Sequence, residues 1–231
     1  MTRPLTRDTH AHYFPEPYLK LVAAHGKRCG TTVITDASGA AIIQVGLLLR
    51  TGPITSHFYD LDDRLKTMDR IGVRMHALSL TQPMVYWADD ELGLGLCVAF
   101  NDAVSAAHRK HPDRFIGFAC LPLQNARLAL EELERAAKLP GIRGIYLVTA
   151  VRDRELSDRS FFPVYERAAD LGLPIFLHPR DRCSPSCRSA DRERRRASDT
   201  ARGNSARACL WSAAASLRHL VTRHSSFVTA V

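Results

Sequence analysis

Apolar and polar positions fall into alternating blocks along the chain, and these blocks predict strands and helices in turn. The clearest helical spacing is a set of apolar residues that step by four, three, four and three: Leu92, Leu96, Ala99, Ala103 and Ala106. Apolar runs of strand length separate such helical blocks. The predicted strands cover 5–12, 73–80, 115–121, 142–148 and 173–177, and the predicted helices cover 18–24, 61–71, 92–111, 126–137 and 161–171.

Two of these helices carry end signals in the sequence. Asp60 is a candidate N-cap for the helix over 61–71, and Gly72 is placed to end it. Ser160 is a candidate N-cap for the helix over 161–171.

Strands that alternate with helices every thirty to forty residues indicate parallel βαβ units. Residues 31–46 interrupt this order with two apolar runs around a turn, which predicts a hairpin inserted into the main fold. The predicted fold class is therefore α/β, a (β/α)8 TIM-barrel type that is incomplete, with about five to six βα units. We expect residues 1–179 to be the N-terminal part of that barrel.

The composition changes abruptly beyond residue 179. Residues 180–209 are rich in Arg and Ser without helical or strand periodicity, and we interpret them as an irregular segment that is read out of frame. Residues 210–231 regain a pattern that predicts a sixth helix and strand. We expect a barrel truncated at this point to be unstable alone or to need a partner, because open parallel edges leave backbone groups unpaired. A homo-oligomer stays open as one such assembly.

The formal net charge of +8 belongs almost entirely to this tail, since residues 180–231 carry +7 of it. This location does not favour a nucleic-acid partner, because the arginines read as a solvated segment that would contact phosphates only non-specifically. No apolar run reaches the length of a membrane span, so we expect no membrane partner. The first residues lack the apolar segment of a secretion signal, which predicts a cytoplasmic protein.

The segment Asp8-Thr9-His10-Ala11-His12 holds the strongest chemical signal. On a strand, His10 and His12 point to one side, and strict alternation puts Asp8 there too. Imidazole is a preferred ligand for zinc and related divalent metals, and a nearby carboxylate can join the ion or orient a ligating ring. His178 follows the fifth predicted strand. In a closed barrel, strands one and five face each other, so three imidazoles can converge on one ion at the carboxyl ends.

Six segments, in this order along the chain, carry a family resemblance: Asp8-Thr9-His10-Ala11-His12, Met68-Asp69-Arg70-Ile71-Gly72-Val73, His111-Pro112-Asp113-Arg114-Phe115, Gly141-Ile142-Arg143-Gly144-Ile145, Phe162-Pro163-Val164-Tyr165-Glu166 and Leu171-Gly172-Leu173-Pro174-Ile175-Phe176-Leu177-His178-Pro179. By these segments the chain resembles the amidohydrolase superfamily. Within it, the similarity is to the branch of aminocarboxymuconate-semialdehyde decarboxylase and related aromatic-acid decarboxylases.

The resemblance implies a non-oxidative decarboxylase, a carboxy-lyase of small unsaturated or aromatic carboxylates, with Zn2+ or another divalent metal and no organic cofactor. His10, His12 and His178 match the family's metal-binding histidines, and Asp8 is expected to support them from outside the ligand set. Arg50 is a candidate partner for the substrate carboxylate. The family's acid/base histidine and late aspartate have no counterpart in this sequence, so the catalytic residues stay unassigned and an inactive form stays open.

Two other functions stay open beside the decarboxylase. One is a metal-dependent hydrolase of the same superfamily, acting on a lactone or an amide through a metal-bound hydroxide. The other is a non-catalytic fragment that binds or regulates a partner, or that binds nucleic acid through residues 180–209. The histidines of the predicted sixth helix, His219 and His224, are interpreted as surface residues, and Cys183, Cys187 and Cys209 lack the paired spacing of a zinc knuckle.

Overall fold

The computed structural model describes residues 6–47, 49–178 and 228–230, the last three as backbone. The chain forms two compact units, Met1–Gly144 and Ile145–Val231.

The first unit alternates strands and helices along the chain. Its strands are β1 (Arg7–His12), β2 (Thr31–Thr35), β3 (Ala41–Val45), β4 (Leu49–Arg50), β5 (Met75–Ser79) and β6 (Phe115–Ala119). Its helices are α1 (Glu16–His25), α2 (Ser56–Tyr59), α3 (Leu61–Ile71), α4 (Asp90–Lys110) and α5 (Ala126–Ala136). Strands β1, β5 and β6 lie side by side in that order, and each pair is parallel. Helices α3 and α4 precede β5 and β6, so these connections are the βαβ crossovers that the sequence predicts.

The core of the first unit forms where α4 packs on β6. Leu96, Phe100 and Val104 lie four residues apart on α4 and are fully buried, as a single apolar stripe requires. Gly117 of β6 permits this close approach, because a Cβ at that position would overlap the Val104 side chain. The packed layer holds the parallel strands, and therefore their carboxyl ends, in a fixed register.

The predicted hairpin is present between β2 and β3. The two strands pair antiparallel from Thr31 opposite Val45 to Thr35 opposite Ala41. The Asp36 carboxylate stabilises the turn by accepting the backbone N–H groups of Ser38 at 2.8 Å and Ala40 at 2.9 Å. Strand β4 adds a third strand that the sequence pattern does not predict, since it is two residues long. The status of this small sheet as an insertion stays a prediction.

One of the two predicted helix caps is confirmed and one is wrong. The Asp60 carboxylate accepts the N–H groups of Asp62 and Asp63 at the start of α3, and Gly72 ends the helix at a φ of 77°. Ser160 does not cap the helix that follows it. The Asp158 carboxylate two residues upstream accepts the Ser160 N–H at 2.9 Å and caps a short 3-10 turn instead. The α-helix then begins at residue 162.

The second unit continues the same pattern. Its elements are β7 (Ile142–Val148), which begins at the end of the first unit, β8 (Ala150–Val151), β9 (Arg154–Glu155), α6 (Phe162–Asp170), β10 (Ile175–His178) and β11 (Val228–Ala230). Strands β7, β10 and β11 are parallel and adjacent in that order. Strand β11 lies within the stretch in which the sequence predicts a sixth strand. The Arg- and Ser-rich segment at 180–209 and the predicted sixth helix lie outside the described residues and stay predictions.

Parallel strands that alternate with helices in both units define the fold as an incomplete (β/α)8 barrel, as the sequence predicts. Within the described residues, every helix falls short of a membrane span in length or in apolar content.

Candidate metal centre

The carboxyl end of β1 brings two imidazoles together. Strand β1 ends with His12 paired to Ser79 of β5, and the Tyr13 N–H prolongs the contact by donating to the Ser79 carbonyl at 2.9 Å. The Nε2 atoms of His10 and His12 lie 3.1 Å apart, and the two rings are nearly perpendicular at 85°. Both side chains are half-buried. The two-residue spacing in the sequence therefore correctly predicts a shared side for these rings.

This geometry fits a divalent metal. With zinc–nitrogen bonds of about 2.0–2.1 Å, two nitrogens 3.1 Å apart would subtend roughly 95–100° at the ion. That angle lies between the octahedral and the tetrahedral values. The same separation is that of an N–H···N hydrogen bond, so one ring can donate to the other when no ion takes both lone pairs.

Asp8 supports the backbone of the pair. Its Oδ1 accepts the His10 backbone N–H at 2.9 Å. The pairing of β1 with β5 also carries an irregularity here, because the three steps from Asp8 to Ala11 match only two steps on β5. Burial still alternates along β1, with Asp8, His10 and His12 all half-buried, and the Asp8 contact fixes the main chain at His10.

Two further polar residues lie beside the pair, and the sequence reasoning missed both. Arg64 of α3 is 7% exposed, and its Nη2 donates to the His12 carbonyl at 2.5 Å and also to the His57 carbonyl. His76 of β5 is 9% exposed, with its Nδ1 3.4 Å from Arg64 Nη1 and its Nε2 3.7 Å from Asp8 Oδ2. The available signals were a charged residue on the apolar face of a helix, four residues before buried Met68, and a polar residue inside an apolar strand.

Burial sets the charge state of these two groups. Desolvation lowers the pKa of Arg64 to about 10, with Tyr13 and Asp8 opposing the shift. At neutral pH the guanidinium is still charged. Desolvation also lowers the pKa of His76, the positive charge of Arg64 lowers it further, and Asp8 opposes both effects. His76 is therefore a neutral imidazole at neutral pH.

His178 occupies the last position of β10 in the second unit, opposite Val148 of β7. Its half-buried ring lies 5.6 Å from the ring of Tyr146, and Tyr146 in turn stacks on Phe176 at 5.7 Å. The structure thus places the third predicted histidine at the carboxyl end of a parallel strand, as expected from the sequence.

Arg50 lies on β4, opposite Gln44 of β3, with an exposed side chain. Its positive charge contributes to the lowered pKa of Asp36, after the larger effects of the Ser38 and Ala40 hydrogen bonds. Among the described residues, no carboxylate lies within ion-pair distance of Arg50.

Fold and site together define a (β/α)8-type protein with a histidine pair at the end of its first strand. The chain belongs to the Amidohydrolase family, which matches residues 8–224. A 2-amino-3-carboxymuconate-6-semialdehyde decarboxylase of Dictyostelium discoideum is 31% identical over 179 residues, which are 77% of this chain and 49% of the relative. The chain therefore spans about half the length of this curated relative.

Solved structures share the fold. A 5-carboxyvanillate decarboxylase of Sphingomonas paucimobilis superposes with a TM-score of 0.70 at 24% identity, covering 98% of this chain and 66% of the other. A dihydroxybenzoic acid decarboxylase of Polaromonas sp. JS666, with bound manganese and the inhibitor 2-nitroresorcinol, gives a TM-score of 0.58 at 24% identity and covers 81% and 53%. At this identity the likeness shows the fold alone.

Proposed function

We propose that this chain acts as a divalent-metal-dependent, non-oxidative decarboxylase of a small unsaturated or aromatic carboxylate. The observation that carries the proposal is the His10–His12 pair, with Nε2 atoms 3.1 Å apart at the end of the first barrel strand. In this fold, chemistry sits at the carboxyl ends of the strands. The substrate class is supported by the relatives, since the proteins compared above are decarboxylases of a carboxymuconate, a carboxyvanillate and a dihydroxybenzoate.

We propose His10, His12 and His178 as the ligands of the metal. Each side chain is half-buried and ends a parallel strand or lies within two residues of its end. Imidazole suits zinc and also other divalent transition metals. Zinc is the metal we propose first, and the manganese of the Polaromonas structure makes manganese the alternative.

A bound divalent ion supplies Lewis acidity, polarising a substrate oxygen and lowering the pKa of a bound water. The protein's own task is to hold the ligands still and to orient the substrate. The backbone contacts of Asp8 and Arg64 fix the two β1 histidines. We propose that the exposed guanidinium of Arg50 binds the substrate carboxylate in bidentate fashion, because no described carboxylate occupies it.

The test is an activity assay on the full chain loaded with Zn2+ or with Mn2+. Carboxymuconate semialdehyde, carboxyvanillate and dihydroxybenzoate substrates are incubated with the protein, and released carbon dioxide is measured. A lactone and an amide are run in parallel. We expect metal-dependent carbon dioxide release that His12→Ala abolishes and His25→Ala leaves intact, since His25 is an exposed residue at the end of α1.

Hydrolysis of the lactone or amide without carbon dioxide release would replace the decarboxylase with the superfamily hydrolase. A metal-loaded chain that turns over neither class would be the non-catalytic form.

A further inference from the structure

A continuous set of polar contacts connects both β1 histidines to one buried guanidinium. From Arg64, one arm reaches the His12 carbonyl directly at 2.5 Å. The other arm runs from Arg64 Nη1 to His76 Nδ1 at 3.4 Å, from His76 Nε2 to Asp8 Oδ2 at 3.7 Å, and from Asp8 Oδ1 to the His10 N–H at 2.9 Å. Contributions from β1, α3 and β5 thus meet at the two residues that the proposed function assigns to the metal.

The chemistry of the donors fixes the protonation of the middle member. Arg64 has donors and no acceptor, so the His76 Nδ1 that faces it must be unprotonated. A neutral His76 then carries its proton on Nε2, which faces the Asp8 carboxylate. The contact of 3.7 Å is a charge–dipole contact longer than a hydrogen bond. The other carboxylate oxygen of Asp8, Oδ1, accepts the His10 backbone N–H.

A buried guanidinium stabilises a fold poorly, because burial removes its charge from water at a cost in free energy. Arg64 is 7% exposed, and its partners at hydrogen-bond distance among the described residues are two carbonyls and an imidazole, without a carboxylate. Apolar residues of similar volume often stabilise such sites as well as a buried charge does. What an apolar residue cannot do is donate to the His12 and His57 carbonyls through Nη2 while Nη1 of the same rigid, planar group faces His76.

We infer that Arg64 is a positioning residue for the metal centre, and that His76 and Asp8 extend its action to His10. The inference rests on the proposed function, because it concerns the residues assigned there as metal ligands. Arg64 fixes the main chain at His12, Asp8 fixes it at His10, and His76 links the two. Together they set the direction of both rings before an ion binds.

The experiment measures Mn2+ affinity of the full chain by electron paramagnetic resonance of the free ion. Arg64→Lys keeps the positive charge but loses the fork, and Arg64→Gln loses both. Arg70→Gln is the matched control, since Arg70 lies on the same helix with an exposed side chain. We expect both Arg64 variants to bind Mn2+ about 10- to 100-fold more weakly, as loss of an outer partner does, and Arg70→Gln to bind like the wild type.

A second pair of variants covers the case in which Arg64 variants do not fold. His76→Gln can accept from Arg64 through its amide oxygen and donate to Asp8 through its amide nitrogen, whereas His76→Leu can do neither. We expect the Gln variant to keep most of the affinity and the Leu variant to lose it. Nitrogen-15 NMR of the unmodified protein should show His76 with a bare Nδ1 and a protonated Nε2.

The outcomes separate this inference from the function on which it rests. A wild-type chain that does not bind Mn2+ or Zn2+ overturns the proposed function and the inference with it. A wild-type chain that binds the metal, with Arg64→Lys and His76→Leu binding equally well, overturns only the positioning role. A protonated Nδ1 on His76 also overturns it, because Arg64 could not then face that nitrogen.

Discussion

Single residues at the end of β1 show what spacing can and cannot predict. The His-x-His pattern correctly places two rings on one side, because the side-chain repeat of a strand is a local property. Asp8 is half-buried like both histidines, although the pairing of β1 with β5 is irregular between Asp8 and Ala11. The contacts of Arg64 and His76 could not be predicted from strand alternation, because they join residues that lie 52 and 12 positions apart in the chain. No local pattern encodes such a meeting.

Replacing Arg50 tests the proposed carboxylate contact. Arg50→Gln should raise KM for the carboxylate substrate about 10-fold or more with a smaller change in kcat, because a hydrogen bond to a charged group contributes about 1.5–3 kcal/mol. The KM of Arg50→Lys should lie between those of the wild type and Arg50→Gln, since lysine keeps the charge but cannot bind a carboxylate with two parallel donors. Steady-state kinetics measures this, with Arg70→Gln as the exposed control. An unchanged KM in Arg50→Gln would remove Arg50 from the site.

The buried position of His76 predicts a pH-dependent stability. Its pKa is lower in the folded protein than in the unfolded chain, where it is about 6.5. As the pH falls below about 6.5, the unfolded chain therefore gains a proton that the folded state takes up only at lower pH. Stability of the metal-free protein should decrease through this window. Urea unfolding at pH 7 and pH 5.5 should show a smaller decrease for His76→Gln than for the wild type, and equal decreases would contradict the account.

At the scale of elements, most helices and strands follow from apolar periodicity, and their ends follow from caps where a single acceptor is available. Asp60 is such a case. Ser160 is the opposite case, because the stronger acceptor Asp158 lies two residues before it and captures the Ser160 N–H. Strand β4 is two residues long and gives no periodicity to detect.

One side chain of the first unit links α4 to α5 and to the residue that follows β6. Asn101 of α4 donates to the Cys120 carbonyl at 2.9 Å and to Glu132 Oε1 of α5 at 2.6 Å, and it accepts the Cys120 N–H at 2.8 Å. Asn101 and Glu132 are both buried. Removing this amide would take the partner from the N–H and the carbonyl of buried Cys120, just beyond the carboxyl end of β6, whereas Glu132 keeps its contacts with Arg135.

Asn101→Ala should therefore lower the free energy of unfolding by about 2–4 kcal/mol, since each unsatisfied buried group costs about 1–3 kcal/mol. The adjacent Asp102→Ala is the control. Asp102 is exposed and pairs with Arg135 at 2.7 Å, an exposed ion pair whose loss costs less than about 1 kcal/mol. Urea denaturation compares the two variants. Equal losses would show that the Asn101 contacts do not stabilise the junction of these elements.

At the scale of the whole molecule, the order of parallel strands and helices is predictable because each βα unit repeats the same pattern. The full set of proposed metal ligands cannot be predicted from a local sequence pattern in the same way. His178 could be proposed as a ligand only from the fold class and the family resemblance, since 165 residues separate it from the β1 pair along the chain.

The most direct test of the central claim is a metal titration of the full chain by calorimetry. We expect one divalent ion per chain, with binding weakened at least 100-fold by His10→Ala, by His12→Ala and by His178→Ala, because each removes a proposed ligand and even an outer partner is worth about 10- to 100-fold. His25→Ala should bind like the wild type. Binding that His178→Ala leaves unchanged would contradict the three-histidine centre.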